Sequence, residues 1–334
     1  MLLGALIAAF ALVIPTSAFA SHDLGIYKVE KHLDLDSDEI SATVSCTPGD
    51  YALDGMWRID HADQDDDDIY STSLGRAVDV VSAYPSIGNG LSSSGHRDAY
   101  NFTFEKNAIG RAQVKMWVVC IGQNTHQTNG HSHALTVTPH QSLATPAGAF
   151  DTTATPCPTN TFISTPGFNI NPTTGDPNPL LGHVSTDIMS SNMRNWSWYI
   201  DTSQDGGAPT IDYYWSCVSR KLVANGGENH KLVYRHDGQT TTAINPTGSN
   251  EGWQTVRQSC GAAYKAVVAG FTFPFVNTFH DPNPDFPFAS YPEPFLWFLG
   301  MDPQPKSRDF RFDNADSVAH NVTTDLICLN YRTT

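Results

Sequence analysis

Six cysteines, at positions 46, 120, 157, 217, 260 and 328, are the residues of this 334-residue chain whose type and number most directly imply chemistry. An even set in an exported protein points to disulfides, with many pairings open in principle. Their surroundings narrow the choice. Eleven residues after Cys46, Cys157 and Cys260 come Trp57, Phe168 and Phe271, each closely preceded by glycine: Gly55, Gly167 and Gly270. Ahead of Cys120, Cys217 and Cys328 stand aromatic pairs at alternate positions, Tyr100 and Phe102, Trp196 and Trp198, Phe310 and Phe312. Arg97, Arg194 and Arg308 lie two or three residues before those pairs. A pattern written three times predicts that each early cysteine bonds the late cysteine of its own unit, giving Cys46–Cys120, Cys157–Cys217 and Cys260–Cys328.

The acidic run Asp60, Asp63, Asp65, Asp66, Asp67 and Asp68 offers hard oxygen ligands, with Asp60, Asp63, Asp65 and Asp67 as candidates for Ca²⁺. It lacks the glycine and distal glutamate of a helical calcium loop, so a solvated acidic loop is the competing reading. Trp196, Trp198, Trp215, Trp297 and Phe295 are candidate platforms for stacking a sugar. Residues 271–298 hold ten aromatics among six prolines. Phe271 and Phe273 match the core strand after the first cysteine of the other units. The remainder, roughly Phe279 to Trp297, is too large an apolar loop for its own unit to bury, which suggests an interface or a cover over a neighbouring domain. His22, His133 and His230 recur at the start of each unit. Imidazole is a common metal ligand, but a repeated residue at a boundary more often packs or hydrogen-bonds there. Sequons at Asn101, Asn195 and Asn321 matter only in a glycosylating source. There is no Gly-x-Ser-x-Gly elbow, His-Glu-x-x-His, dinucleotide-binding or phosphate-binding glycine motif. Paired carboxylates for glycoside hydrolysis would leave no sequence signature.

The elements that must carry these residues are strands. Ile40–Cys46, Ala112–Val118 and Thr324–Cys328 alternate with period two, and 25 glycines and 21 prolines supply frequent turns. A formal charge of −15, with charged residues at only 16%, argues against nucleic-acid or anionic-membrane partners. Residues 1–20 read as a secretory signal peptide, its apolar run followed by Ala18-Phe19-Ala20, although no Lys or Arg precedes that run. No later stretch is apolar for long enough to span a bilayer. The spacing from His22 to Cys46 equals that from His133 to Cys157, which sets the units at 21–128, 129–226 and 227–334.

The expectation is therefore an all-β, secreted or cell-surface protein of three tandem disulfide-stapled β-sandwich domains, immunoglobulin-like or jelly-roll-like. The spacing from cysteine to aromatic to cysteine is similar to that of immunoglobulin domains. Val118, Trp215 and Leu326, however, stand where those domains carry a tyrosine. Cys46-Thr47-Pro48-Gly49-Asp50, Cys157-Pro158 and Cys260-Gly261, with the glycines and later cysteines that follow, also resemble secreted bacterial tandem-repeat proteins with Cys-Pro-x-Gly β-domains of uncharacterised function. That resemblance implies a surface or secreted role and no activity. Stacked sandwiches would form a stiff rod, suited to a non-enzymatic adhesin, surface-layer part, fibre subunit or virion decoration that self-associates. The alternative is a protein binding surface glycans, and after it a polysaccharide-active enzyme.

Overall fold

The computed structural model describes residues 25–35, 39–61, 78–86, 97–106, 112–124, 132–144, 149–171, 183–201, 209–225, 229–246, 253–273, 277–278, 293–294, 296–314 and 316–330. Every regular element among them is a β-strand. Grouped by the units expected from the sequence, which serve below as labels, the first repeat contributes β1 (Ile26–Leu35), β2 (Glu39–Ser45), β3 (Tyr51–His61), β4 (Val78–Ser86), β5 (Ala99–Lys106) and β6 (Ala112–Ile121). After a short β7 (Ser132–Ala134), the second gives β8 (Val137–Ala144), β9 (Ala149–Thr153), β10 (Thr161–Asn171), β11 (His183–Met189), β12 (Trp196–Asp201) and β13 (Thr210–Ser219). The boundary strands β14 (Lys221–Asn225) and β15 (His230–Lys231) follow. The third repeat holds β16 (Val233–His236), β17 (Thr240–Ile244), β18 (Gln254–Ser259), β19 (Tyr264–Thr272), β20 (Asn277–Thr278), β21 (Glu293–Pro294), β22 (Leu296–Gln304), β23 (Ser307–Asn314) and β24 (His320–Asn330).

The repeats do not stand as separate sandwiches in a rod. Each splits its strands between two large sheets, and each large sheet is shared by two repeats. One sheet runs β1-β6-β3-β22-β23-β18, joining the first repeat to the third. The second runs β2-β5-β4-β10-β13-β8, joining the first to the second. The last runs β16-β24-β19-β11-β12-β9, with β17 also on β24, and joins the second to the third. All three seams use the same pair of strands. The strand after the early cysteine (β3, β10, β19) meets, in another repeat, the strand lying two before that of the late cysteine (β22, β4, β11). The circle is closed, so each repeat touches both others.

Bulges explain how one repeat can feed two sheets. The register slips at Ala52/Asp54, Ser164/Gly167 and Ala266/Val268 in the first kind of seam strand. It slips at Val80/Ser82, Val184/Thr186 and Phe298/Gly300 in the second kind. A bulge bends its strand and raises the local twist, and here it recurs at equivalent places in all three repeats. Close approach at the seams then requires glycine. A Cβ on Gly167 would lie 2.6 Å from the carbonyl oxygen of Ala83, and one on Gly270 would lie 2.5 Å from that of Asp187. These two glycines each immediately precede the recurrent aromatic.

That aromatic turns inward. Trp57 meets Phe168 edge-on with ring centroids 6.4 Å apart and Phe298 at 5.8 Å, while Phe298 stacks on Phe271 at 3.6 Å. One hydrophobic core thus runs through all three repeats. Disulfides join Cys46 to Cys120, Cys157 to Cys217 and Cys260 to Cys328, so none crosses a seam. Closing loops of 74, 60 and 68 residues, each removes about 4 kcal/mol of denatured-state freedom in the chain-entropy treatment.

Candidate functional site

The tryptophans that sequence offers as sugar platforms are core. Trp196, Trp198 and Trp215 are buried, at 0%, 0% and 4% exposure, because their alternate positions on β12 and β13 face the shared interior. Trp198 packs on Tyr213 and Trp215. The side chains of Phe295 and Trp297 lie outside the described residues, as does most of the proline-rich aromatic segment. Of the calcium candidates, Asp63, Asp65 and Asp67 lie outside the described residues too. Asp60 is already engaged by three cations. Among the described residues no group of three or more His, Cys, Asp or Glu side chains is placed to hold a metal ion.

Sequence reasoning missed a polar cluster at the centre, where the three repeats meet. Asp54 of β3, Asp187 of β11 and Arg308 of β23 are all buried, one from each repeat. Asp187 accepts from Nε1 of Trp196 at 2.5 Å, and Asp54 accepts from the backbone N–H of Ala269 at 3.1 Å. Burial pushes the Asp187 carboxyl up to about 7. Burial also drives Asp54 well above the carboxylate range, and the neighbouring Asp187 adds to this against the attraction of Arg308. Arg308, lowered to about 10 by the same desolvation, donates to the carbonyls of Gln304, Ser307 and Ala266 at 3.0–3.2 Å. Its counterparts do likewise. Arg97 donates to the carbonyls of Trp215 and His140 in the second repeat, at 2.9 and 2.8 Å, and Arg194 to that of Cys157 at 2.6 Å. The repeated arginine is therefore a backbone clamp. Its recurrence before each aromatic pair was the visible signal.

A second cluster lies on the outer face of the sheet that closes the circle. Arg58 of β3 pairs with Asp302 of β22 across the seam, and donates to Asp60 at 2.5 Å. Arg311 of β23 reaches back to Asp60 at 3.0 Å and sits 3.4 Å from Asp302. Lys115 adds a contact of 3.0 Å to Asp60. Burial raises the Asp60 carboxyl, but the hydrogen bonds and charge of Arg58 and Lys115 outweigh that and hold it below its ordinary value. At the rims, Arg58 lies over the Trp117 ring at 5.7 Å and Arg311 over Trp253 at 4.8 Å. Lys265 donates to the carbonyl of Ile26 at 2.8 Å, and Lys28 to that of Pro303 at 3.4 Å, both across this seam. The whole arrangement fastens the last repeat to the first.

The sheet joining the first two repeats carries a different face. Tyr84 of β4 stacks on Tyr214 of β13, with ring centroids 5.0 Å apart. Beside them Asn169 donates to Asn171 at 2.8 Å, Asn171 to Asp212 at 3.0 Å, and Gln141 to Asp212 at 3.2 Å. Burial, with Asp212 and Tyr84 nearby, pushes the Tyr214 hydroxyl up to about 12. Aromatic rings beside mutually oriented planar amides can stack on and hydrogen-bond a saccharide. At the boundary between the second and third repeats, β7 and β15 both pair with β14, bringing the rings of His133 and His230 to 4.1 Å. His22 lies outside the described residues.

No helix among the described residues is long and apolar enough to cross a membrane. No protein-family model matches the chain, and no curated protein matches it either.

Proposed function

We propose that this chain is a non-enzymatic structural protein of the cell surface or extracellular space, exported by a leader at residues 1–20. Adhesins, surface layers, fibres and virion decorations are the settings it suits. The observation that supports this best is where the reactive side chains are spent. Asp54, Asp187 and Arg308 are sealed in the centre, Arg58, Asp60, Asp302 and Arg311 hold one another, and the cysteines are in disulfides. Chemistry needs groups that meet a substrate, and among the described residues these are engaged by one another and by backbone carbonyls and amides. Three disulfides accord with an oxidising compartment. A closed body with each repeat touching two others replaces the rod as the shape of the subunit.

Glycan binding is the second reading, favoured by the Tyr84–Tyr214 face with its amide network. A glycan array, run beside light scattering on a concentration series, separates the two. Self-association with a blank array supports the structural reading. Glycan binding that Tyr84→Ala abolishes replaces it with the second. Release of sugar from a polysaccharide on prolonged incubation overturns both.

A further inference from the structure

We propose that the seam between the third and first repeats is an exchangeable joint, at which β22 of one copy docks on β3 of another, so that the partner is a second copy of this chain. The joint depends on the seams alone, whatever the protein binds.

All three seams are heterologous: a strand of one kind meets a strand of another kind. Such an interface can close into a ring or run on between molecules. Within one chain the ring closes after three repeats. Two of its seams join repeats consecutive in sequence, which the backbone keeps together. The third joins β22 to β3 and has no connection of that kind. No disulfide reaches across it, since all three lie inside repeats. The third and first repeats can part there without breaking a covalent bond.

The backbone pairing at this seam is also brief. Among the described residues Gly300 opposite Arg58 is its one register pair, whereas Phe168 and Asn169 face Ala83 and Ser82 at one other seam, and Thr186 and Asp187 face Thr272 and Phe271 at the remaining one. Specificity falls to side chains. Arg58 against Asp302 and Arg311 against Asp60 are the complementary charges, with side-chain exposures of 13–18% that leave them within reach of salt and water. When a second copy supplies the partner repeat, every one of these contacts is remade in trans, together with the packing of Trp57 on Phe298. Exchange of the whole third repeat keeps both of its seams in trans and opens only the boundary pairing of β14 with β15, a low-cost route of the kind by which domain swapping occurs.

Charge reversal tests this directly. Arg58→Asp places a new carboxylate against Asp60 and Asp302, and Asp302→Arg places a new guanidinium against Arg58 and Arg311. Each variant alone repels itself at its own joint. In a swapped pair of one Arg58→Asp chain with one Asp302→Arg chain, one joint unites the two introduced charges and the other is wild type. The two chains, unfolded together with disulfides intact and refolded as a mixture, should give a 1:1 two-chain species by native mass spectrometry. Neither variant should give it alone. The doubly substituted chain, whose own joint is complementary again, should return as a folded monomer. If one variant cannot fold by itself, recovery of folded protein only in the mixture is the supporting result. A mixture yielding no hetero-pair, while the doubly substituted chain folds, overturns the proposal.

Discussion

The backbone N–H of Ala269, in the third repeat, donates at 3.1 Å to the carboxyl of Asp54, 215 positions earlier in the first. The next residue along β19, Gly270, leaves space for the carbonyl oxygen of Asp187 in the second repeat. Two adjacent backbone positions thus touch all the repeats that make up the ring. Whatever charge is placed at this point is felt by the whole molecule.

Stability should therefore fall as pH rises through the weakly acidic range. The ordinary carboxyl value is 3.8, and Asp187 in the fold stands at about 7. Below the ordinary value both states are protonated and nothing is lost. Between about 4 and 7 the unfolded chain ionises while the folded one does not, so stability declines, and above about 7 the loss is complete. The raised Asp54 acts with the same sign. Asp187→Asn keeps an oxygen for Trp196 and removes the titration. It should match wild type near pH 4 and be more stable at pH 8 by up to about 4 kcal/mol. Urea midpoints at the two pH values are the check, and equal midpoints at pH 8 would refute it.

Gly167→Ala should destabilise by about 1–3 kcal/mol, because its methyl enters space held by backbone of the facing repeat and neither strand can yield alone. Gly122→Ala, where the nearest atom is 3.4 Å away, should stay within about 0.5 kcal/mol. Denaturant titration of the two variants side by side shows whether seam spacing is the cause.

Across the closing seam, Arg58→Gln and Asp302→Asn should be strongly non-additive. Either alone takes one of two partners from a partly buried charge, since Asp60 still holds Arg58 and Arg311 still reaches Asp302, whereas the pair together removes both members. A double-mutant cycle should return a coupling of about 1 kcal/mol or more. Additive losses would mean that the network adds nothing to closure.

Replacing Cys157 and Cys217 by alanine should lower stability by about 4 kcal/mol. The loss should appear in one calorimetric transition rather than in the second repeat alone, since the core is continuous. Separate melting of one repeat would contradict the shared core.

Much of the local structure is written in the sequence. Period-two alternation places Ala112–Val118 within β6 and Ile40–Cys46, all but its last residue, within β2, because alternation reports which side of a strand meets the core. Recurrence of cysteine, glycine, aromatic and arginine at shared offsets picks out which cysteines pair, Cys46 with Cys120, Cys157 with Cys217 and Cys260 with Cys328. The recurrent glycine is legible as a constant, though its use, clearing the backbone of another repeat, is not.

Which strand lies beside which was decided only in three dimensions. Ladder hydrogen bonds come from backbone groups that every residue carries, so nothing in the type of Phe168 or Phe271 announces Ala83 or Asp187 as its neighbour. The same limit misleads about Trp196 and Trp198. Their strand spacing is plain, but their burial depends on a neighbouring repeat filling the space a ligand would need. Arg58 and Asp302, 244 positions apart, look like ordinary surface charges until β3 and β22 adjoin. Sequence determined the repeated unit and its strands; the tertiary structure alone decided that the units close on one another, since closure is a property of shapes and edges shared between copies.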